Sequence, residues 1–101
     1  MKVRLHPEAL ADLRSIHQYI ALKNRQRADS FVQELHEKIA SLSRTAASFP
    51  LLAGFESAGF RRRAHGNYRI LFRIVGEDVV EVTHVMQMSR DHQAILASWS
   101  K

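Results

Sequence analysis

Between Phe60 and Val75 lie five arginines, Arg61, Arg62, Arg63, Arg69 and Arg73, and no acidic residue. The 101-residue chain has 15 Lys and Arg against 10 Asp and Glu, a net charge of +5, so this one segment holds the whole excess. A guanidinium is a permanent planar cation with five N–H donors, shaped for phosphate or carboxylate. Such a segment attracts a phosphate backbone, an acidic peptide or an acidic protein surface through the same long-range field, and charge alone does not choose among them. Cleavage of RNA by its own 2′-hydroxyl would need a base, an acid and a cation for the charge growing on phosphorus. His84, His65 and Arg69 are the residues to nominate.

Other chemistries have little to work with. The chain contains no cysteine, which excludes a thiolate nucleophile, a disulfide framework and a cysteine-based zinc site. None of its six histidines forms a His-Glu-x-x-His pattern, so neither a metal nor a cofactor is expected. The first residues, Met1-Lys2-Val3-Arg4-Leu5-His6-Pro7, lack an apolar run of signal-peptide length, and no stretch approaches the length of a membrane span. The expected location is the cytoplasm. With 46% hydrophobic and 25% charged residues the composition is that of a globular protein, and the length suits one domain over residues 1–101.

Positioning the arginines falls to elements the periodicity predicts. Val3 to Leu5 suits a short strand, and Pro7 followed by Glu8 suits a first helical turn. Ala9, Leu13, Ile16 and Ile20 then recur at helical spacing to about Lys23. Asn24-Arg25-Gln26 interrupts that pattern, and Ala28, Phe31, Val32, Leu35, Ile39 and Leu42 form a second stripe. So short a link predicts an antiparallel helical hairpin. Thr45 to Gly59, with Pro50, Gly54 and Gly59, reads as a loop with a helical turn.

From Phe60 the period is two, and Tyr68, Ile70, Phe72 and Ile74 alternate with Arg69, Leu71, Arg73 and Val75. A three-residue loop at Gly76-Glu77-Asp78 pairs Ile74 with Val80, Phe72 with Val82, Ile70 with His84 and Arg73 with Glu81. This turns His84 toward the helices as a structural histidine. A three-residue turn at His65-Gly66-Asn67 pairs Phe60 with Phe72 and gathers Arg61, Arg63, Arg69 and Arg73 on the far face, with Arg62 left on the apolar one. Ser89 caps a short final helix whose Ile95, Leu96 and Trp99 pack back on the domain. The predicted fold is α+β: an N-terminal helical hairpin on a small antiparallel β-sheet, a short C-terminal helix, and an open arginine-lined face.

The set Ala9-x-x-Asp12-Leu13-x-x-Ile16-x-x-Tyr19-Ile20, the second amphipathic helix, Pro50, Gly54, Arg61-Arg62 before Gly66, Tyr68-Arg69-Ile70-Leu71-Phe72-Arg73-Ile74, and Arg90-Asp91 before Ile95-Leu96 resembles the RelE/ParE toxin superfamily over almost the whole chain. The resemblance implies a toxin–antitoxin module. The partner is then an antitoxin whose flexible C-terminal segment wraps the toxin and whose N-terminal domain binds operator DNA, so that DNA is touched only indirectly. RelE-like members cut mRNA in the ribosomal A site, whereas ParE-like members inhibit DNA gyrase. Arg69 and Arg90 look like the phosphate-contacting arginines of the RelE-like nucleases. Those enzymes add lysines near the first meander strand and a C-terminal tyrosine; here residues 39 to 100 contain no lysine and the only tyrosines are Tyr19 and Tyr68. ParE-like sequences often place a histidine just before the Arg-Asp pair, where this chain has Met86 and Gln87 with His84 displaced.

The reading that follows is a non-catalytic, ParE-like gyrase inhibitor of the plasmid-stabilisation type, neutralised by a ParD-like antitoxin. Arg61, Arg63, Arg69, Arg73 and Arg90 are then the antitoxin- or target-binding residues. The alternatives are a ribosome-dependent endoribonuclease using Arg69, Arg90 and His84, and an inactive toxin-like protein that only binds its antitoxin.

Overall fold

The imidazole of His6 ends an extended stretch and starts a helix, its Nδ1 accepting the backbone N–H of Glu8 at 3.1 Å. In the computed structural model, which describes residues 1–99 apart from the side chain of Ser98, strand β1 (Lys2–Leu5) therefore passes directly into helix α1 (Pro7–Ala21). Pro7 has no N–H to lose in the first turn, and Glu8 faces the positive end of the helix dipole. Asn24 caps the next helix, α2 (Arg25–Thr45), with its Oδ1 accepting the Arg27 N–H at 2.9 Å. The break read from Asn24-Arg25-Gln26 is thus the cap alone, and Arg25 and Gln26 are already helical.

Two short 3-10 turns, Ala46–Ser48 and Glu56–Ala58, interrupt the following loop. Strands β2 (Phe60–His65), β3 (Tyr68–Val75) and β4 (Val79–Gln87) form the antiparallel meander. Sheet order is β1-β4-β3-β2, and β1 runs parallel to β4, a pairing the sequence did not reveal. Helix α3 (His92–Leu96) follows, then a 3-10 turn over Ala97–Trp99. Asp91 caps α3, its Oδ1 accepting the Ala94 N–H at 3.2 Å; Ser89, expected in that role, lies outside the helix. Among the described residues no helix is long and apolar enough to cross a membrane.

Two features of register depart from expectation. At the β2–β3 turn only Gly66 and Asn67 intervene, so His65 pairs with Tyr68, Arg63 with Ile70 and Arg61 with Phe72. Gly66 sits at φ +58°, the positive value required at the first central residue of one family of tight two-residue hairpins. The shift of one residue turns every β2 side chain over. Arg61 and Arg63 therefore face the helices, while Phe60, Arg62 and Ala64 face away.

In β4 the register follows expectation from Val75↔Val79 through Phe72↔Val82, then slips, so that Leu71 meets His84 and Ile70 meets Val85. Thr83 is the extra residue of this bulge, buried, with its hydroxyl donating to the Leu71 carbonyl at 3.3 Å. His84 thereby shares the face of Leu71 instead of pointing into the hairpin.

Both sheet faces are covered. The hairpin stripes pack on Ile70, Phe72, Val80, Val82 and Val85. On the other face Leu52, Phe55, Phe60, Leu71, Met86 and Leu96 form a second core, with Ile95 and Trp99 against it. Burying a Phe or Leu side chain contributes about 1.5–3 kcal/mol, so this second cluster holds the loop and α3 against the sheet. The open arginine-lined face anticipated from alternation is a partly covered one.

Candidate functional site

The five clustered arginines do different work. Arg61 donates from Nη1 to the Phe49 carbonyl at 2.6 Å. Arg63 donates to the Lys38 carbonyl at 3.0 Å and to Ser41 Oγ at 2.6 Å, its guanidinium 4.8 Å over the Phe49 ring. Burial pushes the Arg63 guanidinium down from its ordinary value. Both side chains tie the edge strand β2 to the far half of α2 and the loop beyond. A hydrogen bond from a charged group contributes about 1.5–3 kcal/mol. Arg61→Ala and Arg63→Ala are therefore each expected to cost about 1–3 kcal/mol in urea denaturation, and Arg62→Ala within about 0.5 kcal/mol of zero. The reverse order would mean that the β2 register is wrong.

Arg73 meets Glu81 as expected, with Nη2 and Nε 3.2 and 3.3 Å from Oε1, and it also lies over the Trp99 and Phe60 rings at 4.9 and 5.7 Å. Arg4 reaches the other Glu81 oxygen at 3.1 Å. Glu81, 8% exposed, is thus neutralised from two sides. Arg62 and Arg69 are the cluster members with neither an ion pair nor a side-chain hydrogen bond among the described residues. The Arg69 Nε is buried with no hydrogen-bond partner among those residues.

His84 and Arg90 meet elsewhere. Both line a cleft of about 520 Å³ between α1, the end of β4 and α3; Arg69 is not among its lining residues. Glu8, Asp12, Tyr19 and Tyr68 line the same cleft. The imidazole is 3% exposed, its Nε2 lies 3.4 Å from Glu8 Oε2, and its ring meets Trp99 edge-on at 5.9 Å. Asp12 accepts the Val85 backbone N–H at 2.9 Å, which pins α1 to β4 just past the bulge. The site residues assigned from sequence are therefore dispersed: Arg63 braces α2 and Arg61 the loop after it, Arg73 is paired with Glu81, Arg69 is unpaired among the described residues, and Arg90 shares a cleft with His84. The carboxylates of that cleft escaped the sequence reading. Their signal was present, since Glu8, Asp12, Ser15 and Tyr19 recur at four, three and four residues, a polar stripe beside the apolar one.

Burial raises the Asp12 carboxyl above its ordinary range, opposed mainly by the Val85 hydrogen bond, and burial pushes His84 down, opposed by the charges of Asp12 and Glu8. Linkage gives the two groups opposite signs. For His84 the unfolded chain takes the proton more readily, so its contribution is present above pH 6.5 and is lost as pH falls through the lower folded value. For Asp12 the folded chain takes the proton more readily, so its contribution is present below pH 3.8 and is lost as pH rises through the raised value. His84→Asn is expected to flatten the fall in melting temperature between pH 7.5 and 5.5. A slope identical to the parent's would remove His84 as its source.

Comparisons with known proteins agree with this fold. Residues 3–92 match the family model described as the ParE toxin of the type II toxin-antitoxin system, parDE. A chain from a structure of the chromosomal ParDE TA system of P. aeruginosa superposes with a TM-score of 0.70 at 22% identity, covering 86% of this chain and 95% of that one. A chain from the toxin-antitoxin complex RelBE2 of Mycobacterium tuberculosis gives 0.63 at 26% identity, covering 85% and 95%. No curated protein matches. With nine-tenths of its length matched by the family model and the hairpin-on-sheet fold in place, the chain belongs to the ParE toxin family of type II toxin–antitoxin systems.

Proposed function

We propose that this toxin acts in the cytoplasm by inhibiting DNA gyrase without cleaving a substrate, and that a ParD-like antitoxin neutralises it, as in a plasmid-stabilisation module. The observation that carries the reading is the charge that surrounds the nuclease candidates. His84 and Arg90 share their cleft with Glu8 and Asp12, whose charges repel an RNA phosphate, while Arg69 lies outside it. Phosphoryl chemistry needs the cation beside the acid and base at one reacting phosphate. A binding role asks only for surfaces. Contact with operator DNA, on this reading, is made by the antitoxin.

Induced expression with and without the neighbouring reading frame tests this in a gyrase-sensitive host. Filamentation with a DNA-damage response and continued translation, relieved by the neighbour and matched by loss of supercoiling with purified gyrase, is the expected result. Immediate translation arrest with codon-linked mRNA cuts would replace it by the ribosome-dependent nuclease. The buried Nε of Arg69, without a hydrogen-bond partner among the described residues, and the structural likeness to the RelBE2 chain favour that second reading. Absence of any growth effect would point to a chain that only binds its antitoxin.

A further inference from the structure

On a chain of net charge +5, the cleft between α1, β4 and α3 is lined by two carboxylates, and its one permanent cation among the described residues is the exposed Arg90. Asp12 has no ion pair among the described residues; one oxygen accepts the Val85 N–H, and the group is only partly exposed. Glu8 faces the His84 ring, and the His84 Nδ1 is buried without a hydrogen-bond partner among the described residues. Both tyrosines of the chain line the same space, Tyr19 with 65% of its surface exposed. The cleft thus offers carboxylate oxygens, a neutral imidazole and aromatic faces, all seeking positive charge or N–H groups.

An anion entering here would meet Glu8 and Asp12. A lysine ammonium would satisfy their charge as a compact point. A guanidinium adds several N–H donors in one plane, and it stacks on tyrosine faces. We propose that this cleft receives an arginine side chain of the cognate antitoxin, held by Glu8 and Asp12 and stacked on Tyr19 or Tyr68. The choice of the antitoxin as its source rests on the toxin–antitoxin reading above; the choice of guanidinium rests on the cleft alone.

Free arginine amide is the probe, titrated into isotope-labelled toxin and followed by amide NMR. Saturable shifts confined to Ser15, Tyr19, Tyr68, His84 and Val85 are expected, at least about fivefold weaker with lysine amide, and absent in Glu8→Gln/Asp12→Asn. The asparagine retains an oxygen for the Val85 N–H, so this variant removes charge and spares the brace between α1 and β4. Tyr19→Ala, at an exposed position, should weaken the same shifts. Shifts that do not saturate, or that persist unchanged in the double variant, would overturn the site. With the antitoxin itself, the double variant is expected to dissociate about tenfold faster; an unchanged rate overturns the antitoxin as occupant. An antitoxin that fails to neutralise the parent while arginine amide still binds would defeat the toxin–antitoxin reading and leave the guanidinium site standing.

Discussion

Phe60→Ala is expected to lower the unfolding free energy by about 3–5 kcal/mol, the cost of emptying a fully buried aromatic position, and to loosen the C-terminal segment before the rest. Phe60 is 0% exposed and lies on the face away from the hairpin. Its ring meets Phe55 and Trp99 edge-on at 6.5 and 6.1 Å, and Arg73 lies over it. Removing it withdraws the platform on which the loop and the final turns rest, while the hairpin core on the opposite face keeps all its members. Trp99 is the single tryptophan, so its emission reports the C-terminal segment and what it packs on. Red-shifted emission at urea concentrations where helical circular dichroism is intact is the predicted signature. A loss under about 1 kcal/mol, or emission that moves only with global unfolding, would return Phe60 to the hairpin side.

Reversing Arg62 and Arg69 together to Glu should have the largest effect on association. These are the clustered arginines that neither brace α2 nor pair with Glu81, and the double reversal takes the net charge from +5 to +1. For an acidic antitoxin segment the expected result is at least about tenfold weaker binding, or ~1.4 kcal/mol, with the weakening carried by the association rate. Salt dependence should flatten in step, since screening acts on the attraction that has been removed. Equal slopes against added salt in parent and variant would show that the antitoxin docks elsewhere. Arg61 and Arg63, chosen from sequence for the same role, should betray themselves by lost stability.

The sequence disclosed most where one local rule dominated. Helical stripes placed both long helices, and alternation placed β3 and β4 with their loop and the Arg73–Glu81 pair. It erred where a single residue decided the matter. One residue fewer at the Gly66-Asn67 turn turned β2 over, and Thr83, inserted as a bulge, moved His84 to the other face. Alternation is blind to both because period two reads equally well in either register. The pairing of β1 with β4 was out of reach for another reason: nothing local to Lys2–Leu5 specifies a partner so distant along the chain. Glu8 and Asp12 could have been found, since their stripe has helical spacing, but a charged helix face ordinarily signals only contact with water.

That first strand has a further consequence, for the birth of the molecule on the ribosome. Lys2–Leu5 finds its strand partners in Val79–Val82, and Arg4 meets its counter-charge 77 positions downstream. Contacts so remote along the chain form late, because the loop they close must first be gathered at an entropic cost. A nascent chain halted before Val79 has made both long helices yet owns no strand for β1 to join. Synthesis must therefore pass Val82 before β1 can be set, and Lys2–Leu5, made long before their partners, wait for them.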